Sequence, residues 1–272
     1  MTLKEASEIL AKAGIESARE EARALFSHFE KTPSYKLITE NPKAENPETI
    51  RAVERRAERE PLQYIIGEVG FFRETYKVTP DCLIPREDTE ILVDFAVKNL
   101  QRGARFADLC TGSGCIAISV LKNTEETEAY AADISEGALS LARENAKANG
   151  VEKRIAFEKV DLLSVCPNRD LPFDAIISNP PYVTNSAYTQ LEKEIYKEPK
   201  CAFLGGEDGG DFYRAITKNY SHLLSENGFF AYEIGYDQAE LIRSIAKQNG
   251  FSAEIIADLS GNPRVAVLRR EK

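Results

Sequence analysis

The chain has 272 residues, a length that suggests about two domains, and 43% of it is apolar and 29% charged, a composition that supplies a real core and excludes a disordered or fibrous chain. Its net charge of −9 argues against wrapping a long nucleic acid by bulk electrostatics and favours a protein partner. No apolar run approaches the roughly 18 residues of a membrane span, and "MTLKEASEIL" lacks the apolar stretch of a signal peptide.

The first sixty residues read as short helices. Thr2 with Glu5 forms a capping box and Gly14 stops the first helix. Ser17 with Glu20 repeats the box before "AREEARALFSHF", a third short segment surrounds "SYKLIT", and Asn46-Pro47 opens "PETIRAVERRAERE". Residues 1–66 are therefore expected to be a small N-terminal helical bundle that recognises the substrate. Residues 67–80, broken by Gly67 and Gly70, read as a hairpin linker through "GFFRETYKV". Residues 81–272 form the main domain. There "EDTEILVDFAVKNL" is a helix, and from residue 104 strands alternate with helices: "ARFADLC", "EAYAAD", "IAFEKVD", "FDAIIS" and "GFFAYEIG", followed by "SAEIIADL" and "RVAVLRR" joined by "SGNP". Such alternation predicts an α/β fold: a mostly parallel, seven-stranded sheet with helices on both faces. Five cysteines without a CxxC pair predict reduced thiols, a cytoplasmic location and no metal site.

The loop "DLCTGSGC", Asp108 to Cys115, leaves the first strand of the alternating region and opens a helix. Ligands bind at such carboxyl ends. Gly112 and Gly114 let the backbone approach a ligand closely, with Cys110, Thr111 and Ser113 filling the loop. Asp133 ends the second strand some twenty residues on, where a carboxylate accepts both ribose hydroxyls. Asp161 ends the third strand, placed to accept from an adenine amino group while Leu162 packs on the ring. The loop lacks the third glycine of a dinucleotide fingerprint and the lysine of a phosphate loop. A nucleoside without phosphate fits best, which selects S-adenosyl-L-methionine as cofactor.

The fourth strand runs into "SNPPYV", where two prolines end ladder pairing at once. Asn179 offers a side-chain carbonyl and Pro180 a main-chain carbonyl held by fixed proline φ angles. Together they can accept both hydrogens of an NH2 group, while Tyr182 stacks on a planar substrate. An amide nitrogen is a poor nucleophile, so it needs this positioning and stabilisation of its developing charge.

Together "PLQYIIGEVGFF", "LIPREDTEILV", "DLCTGSGCIAIS", "AADISEGALSLARENA", "SNPPYV" and "EPKCAFLGGEDGGDFYRAI" resemble the HemK-type peptide chain release factor glutamine N5-methyltransferases, from about residue 50 to the end. The resemblance implies a class I, Rossmann-like methyltransferase that methylates the glutamine amide in the Gly-Gly-Gln loop of release factors and so modulates translation termination. It implies a donor site at Cys110 to Gly114, Asp133, Leu162 and Asn179. It also implies a glutamine site at Asn179, Pro180, Pro181 and Tyr182, walled by Leu83 to Arg86. The family commonly has glycine where Cys110 stands and often an aromatic where Leu162 stands. The expected partner is the release factor alone, with no direct nucleic-acid substrate, no membrane and a monomeric state. Two rival readings are an amino methyltransferase acting on a flipped base, disfavoured by the charge, and a non-catalytic binding module, disfavoured by the complete set of loop, acids and corner.

Overall fold

A computed structural model describes residues 1–164 and 172–271. Cys166 lies outside the described residues; among them no disulfide joins the cysteines. The chain divides into two compact units, Met1–Glu68 with Glu192–Lys197, and Val69–Leu191 with Glu198–Lys272.

The first unit is helical: α1 (Leu3–Lys12), α2 (Ala18–Phe29), α3 (Pro47–Ala57) and α4 (Leu62–Ile66). Thr2 and Glu5 make the expected capping box, and the Asn46 side chain accepts from the Glu48 amide ahead of Pro47. Ser17 makes no capping bond; its hydroxyl donates instead to Glu21 at 2.9 Å, one residue beyond the expected partner. The core gathers Leu3, Leu10, Leu25, Phe26 and Val53. The buried Arg56 pairs with Glu21 and Glu194, and Arg59 reaches Glu194 at 2.8 Å. The helix α4 lies at the end of the stretch expected to be helical, although no separate helix was read there. Five residues are too few for a helical period to stand out in the sequence.

The second unit opens with the predicted hairpin, β1 (Glu68–Phe71) and β2 (Glu74–Lys77), whose first residue belongs to the first unit. It continues with α5 (Glu90–Asn99), β3 (Arg105–Leu109), α6 (Cys115–Lys122), β4 (Glu128–Asp133), α7 (Glu136–Ala148), β5 (Ile155–Lys159) and β6 (Phe173–Ser178). The chain ends with α8 (Asn185–Tyr188), α9 (Asp211–Tyr220), β7 (Leu224–Glu233), α10 (Ala239–Gln248), β8 (Phe251–Ala257) and β9 (Pro263–Arg270). The seven predicted strands form one sheet in the order β5-β4-β3-β6-β7-β9-β8. The first five are parallel, and β9 runs antiparallel to both neighbours. Apolar clusters cover both faces, with Phe106, Ile116 and Ile177 on one and Leu109, Ile176 and Phe230 on the other. This is why the inner strands read as mainly apolar runs rather than alternating ones, while the edge strands β5 and β8 stay largely exposed.

The strand order reverses between β3 and β6, where a crevice opens at the carboxyl ends. Register decides which residues line it. Leu109 pairs with Ala132 on one side and Ser178 on the other, and Ser178 pairs with Tyr232. One step beyond that row stand Asp133, Cys110, Asn179 and Glu233, side by side across four strands.

Candidate active site

The loop after β3 turns with Cys110, Gly112 and Gly114 all at left-handed φ, 62°, 55° and 80°. Glycine takes this conformation freely, whereas Cys110 carries a Cβ into it at a cost of roughly 1–2 kcal/mol. At Gly114 a Cβ would meet Ile118 Cδ1 at 3.0 Å and Ala142 Cβ at 3.2 Å, so the loop packs tightly between α6 and α7. Asp133 secures the loop from the next strand: its carboxylate accepts the Gly112 amide at 2.9 Å and the Ser135 amide at 3.0 Å. Burial raises its pKa while these amides lower it.

A cavity lies beside this loop. Its wall includes Cys110, Gly112, Asp133, Asp161, Leu162, Asn179 and Pro181 of the predicted set, together with Leu83. Ile134, Val160 and Leu163 add apolar surface next to Leu162. Asp81 brings the acids to three beside Asp133 and Asp161, and no Lys, Arg or His is among the described residues of the wall. A slot with acids, apolar sides and no base fits a nucleoside without phosphate, and the acids favour a cationic group. Asp161 also closes its own turn, accepting from the Leu163 amide at 3.1 Å and the Ser164 hydroxyl at 2.8 Å.

Four predicted loop residues are placed differently. Asp108, Thr111, Ser113 and Gly114 are not part of the cavity wall. Asp108 is fully buried and works as an internal tie. It accepts from the Thr111 hydroxyl at 2.6 Å and the Ala117 amide at 3.1 Å, joining strand, loop and helix. Its second oxygen has no partner, and burial pushes its pKa up to about 7. An acid at a strand end belongs to a ligand only if its side chain clears the loop, which spacing along the sequence does not reveal. Arg86 is also absent from the wall. It pairs with the buried Glu198, whose other oxygen accepts the Ile84 amide at 2.9 Å, so these two residues hold the stretch after Leu83 in place.

At the corner, Asn179 is half-buried and Pro180 and Pro181 are buried. Asn179 Nδ2 donates to Thr89 Oγ1 at 3.2 Å, and Thr89 donates to Glu233 Oε2 at 2.5 Å. Tyr182 donates to Glu233 Oε1 at 3.4 Å, and its ring packs against the core. Asn179 Oδ1 and the Pro180 carbonyl accept no hydrogen bond among the described residues. The Tyr182 carbonyl is held by Gln238 at 3.1 Å. The segment after the corner braces it from behind. Val183 donates to the Phe203 carbonyl at 2.8 Å and Gly205 donates to the Val183 carbonyl at 2.9 Å. A Cβ on Gly205 would sit 2.6 Å from the Pro181 carbonyl oxygen and from Tyr182 Cα. Sequence reasoning missed Thr89, Glu233 and the purpose of Gly205. The one available signal was the acid in "FFAYEIG", a charge inside an otherwise apolar strand.

A parallel sheet with an antiparallel strand inserted before its last position, a glycine loop at the switch point and an acid-lined nucleoside slot define a class I, Rossmann-like methyltransferase that uses S-adenosylmethionine. The sequence profile of the PrmC N-terminal domain matches residues 2–67, and that of the methyltransferase small domain matches residues 87–213. A release factor glutamine methyltransferase of Thermodesulfovibrio yellowstonii is 40% identical over 261 residues, covering 93% of this chain and 92% of the relative. One from Moorella thermoacetica is 34% identical over 278 residues, covering 99% and 98%. The chain belongs to the release factor glutamine methyltransferase family. The crystal structure of a ribosomal protein L11 methylase from Lactobacillus delbrueckii subsp. bulgaricus shares the fold, with a TM-score of 0.51 at 22% identity over 69% of this chain and 81% of that one.

Proposed function

We propose that the chain methylates the side-chain amide nitrogen, N5, of the glutamine in the Gly-Gly-Gln loop of peptide chain release factors. The observation that carries this reading is the pair of open acceptors at the corner, Asn179 Oδ1 and the Pro180 carbonyl, in the same row of strand ends as the acid-lined cavity. S-Adenosylmethionine supplies an electrophilic sulfonium methyl. Asp133 holds the ribose, with Asp161 and Leu162 at the adenine. Asn179 and Pro180 accept the two N–H groups of the glutamine amide, so that its lone pair points along the line of displacement. The methyl would pass from sulfur to nitrogen with loss of the neutral thioether; as positive charge develops on the nitrogen, both preoriented acceptors bind it more tightly, and one N–H proton then leaves to water. Pro181 and Leu83 close the pocket around the side chain, while Tyr182, expected to stack on the substrate, lies outside the cavity wall and backs the corner through Glu233. The helical unit recognises the body of the release factor, and the enzyme acts as a monomer in the cytoplasm.

The net charge of −9 and the absence of bases among the described residues of the cavity wall favour a protein over a nucleic acid. No helix among the described residues is long and apolar enough to cross a membrane. The test is transfer of labelled methyl from S-adenosylmethionine to purified release factor, with a Gln→Ala change in its Gly-Gly-Gln loop as control. Label on the normal factor alone is expected. Label on nucleic acid or ribosomal protein instead would discard the substrate and keep the corner chemistry.

A further inference from the structure

Asn179 serves an amide substrate only one way round. Its carbonyl must face the cavity, because the opposite flip would set its NH2 against the NH2 of the substrate. The two ends of a carboxamide have nearly the same shape, so packing cannot choose between them and hydrogen bonding must. We propose that Thr89 and Glu233 are positioning residues that fix this orientation for the methyl transfer, an inference that rests on the function proposed above.

The logic runs outward from Glu233. A carboxylate only accepts, and Glu233 accepts from Thr89 Oγ1 at 2.5 Å. Thr89 has one hydroxyl proton and spends it there. Towards Asn179 it offers lone pairs alone, which select the NH2 end of the amide, at 3.2 Å. Oδ1 is thereby turned to the open side. The other oxygen of the same carboxylate accepts from Tyr182 at 3.4 Å, so a single group steadies both ends of the corner. The three residues come from the start of α5, the end of β6 and the end of β7, so local structure alone does not bring them together.

The burial of Glu233 needs an explanation that packing does not give. Glu233 is 3% exposed and Thr89 2%. No ion pair reaches Glu233 among the described residues; Arg264, the cation facing it, bonds to Asp88 and Asp258. A buried carboxylate without a cation is costly, and an apolar residue of similar size would fill the space at lower cost. The position is explained if the carboxylate is there to set the direction of a hydrogen-bond chain.

The direction depends on the charge of Glu233. Once protonated, its O–H donates to Thr89, Thr89 turns its own proton towards Asn179, and the amide flips. The ionisable groups facing it are Tyr182, Asp88 and Arg264, and burial pushes the carboxyl up to about 7.

The experiment measures steady-state kinetics with release factor and labelled S-adenosylmethionine from pH 6 to 8.5. It uses the wild type, Thr89→Val, Thr89→Ser and Glu233→Gln, with a thermal melt of each. Thr89→Val is expected to lower kcat roughly 10- to 100-fold, with KM for the release factor and cofactor affinity near wild type. Thr89→Ser restores kcat. Wild-type kcat falls on the acid side of about pH 7, and Glu233→Gln, whose amide no longer dictates polarity, slows turnover and flattens that limb. Unchanged kcat in Thr89→Val, or an acid limb that survives in Glu233→Gln, overturns the proposal. If Thr89→Val does not fold, the comparison of pH limbs decides alone. An active wild type with insensitive variants sinks the relay only, whereas a wild type that leaves release factor unlabelled sinks the proposed function and the relay with it.

Discussion

Asn179 stands where the chemistry is most exposed to a single atom. Replacing it with alanine removes Oδ1 and leaves Asp133, Asp161 and the apolar slot intact. Asn179→Ala is expected to lower turnover by roughly 10²–10³, the loss typical of one preorganised charge-stabilising group, while equilibrium dialysis shows cofactor affinity close to wild type. A near-normal rate on the release factor would remove Asn179 from the proposed clamp. Asn179, Asp133 and the loop glycines were legible in the sequence because each follows a strand and the spacing between strands is regular. Thr89 and Glu233 were not. They lie 90 and 144 positions from the residues they bond, and nothing local marks a threonine in "EDTEIL" as a hydrogen-bond relay. Asp108 failed in the opposite sense, since its spacing suited a ligand while its side chain turned into the core.

At the scale of elements, strands carried the most information. The five inner strands carry long buried runs, the edge strands β5 and β8 are largely exposed, and the switch point follows from the strand order. The stretch from Asn185 to Gly210 was opaque because its elements are a few residues long and its meaning is tertiary. The contact at Gly205 makes that meaning measurable. A methyl group there would press on the main chain of the corner, at Pro181 and Tyr182, which has no flexible side chain to yield. Gly205→Ala is expected to destabilise by about 1–3 kcal/mol, lowering the melting temperature by roughly 2–10 °C, and to reduce kcat more than cofactor affinity. A variant that melts and turns over like wild type would show that the segment does not brace the corner.

For the molecule as a whole, burial raises three carboxyls, Asp133 among them, and it takes Asp108 from 3.8 and Glu233 from 4.5, both to about 7. Between those values the folded state binds protons that the unfolded state has released. The contribution of both groups is therefore full at acid pH and is lost as pH rises through about 7. Urea midpoints at pH 5 and 7.5 are expected to show this loss, with a smaller difference in Asp108→Asn, whose neutral side chain has no proton to give up. An equal difference in both proteins would place the source of the pH dependence elsewhere.

The first compact unit is not one stretch of chain. It takes in Glu192–Lys197, whose Glu194 holds Arg56 and Arg59, and at the very next residue the chain resumes in the second unit with the buried Glu198. Heredity therefore cannot exchange this unit by a single crossover. A recombinant that acquired residues 1–68 from a distant cousin would inherit two arginines matched to a glutamate it did not receive. The two pieces are expected to change in step over evolutionary time, so substitution at Arg56 or Arg59 in one lineage should be accompanied by substitution at Glu194.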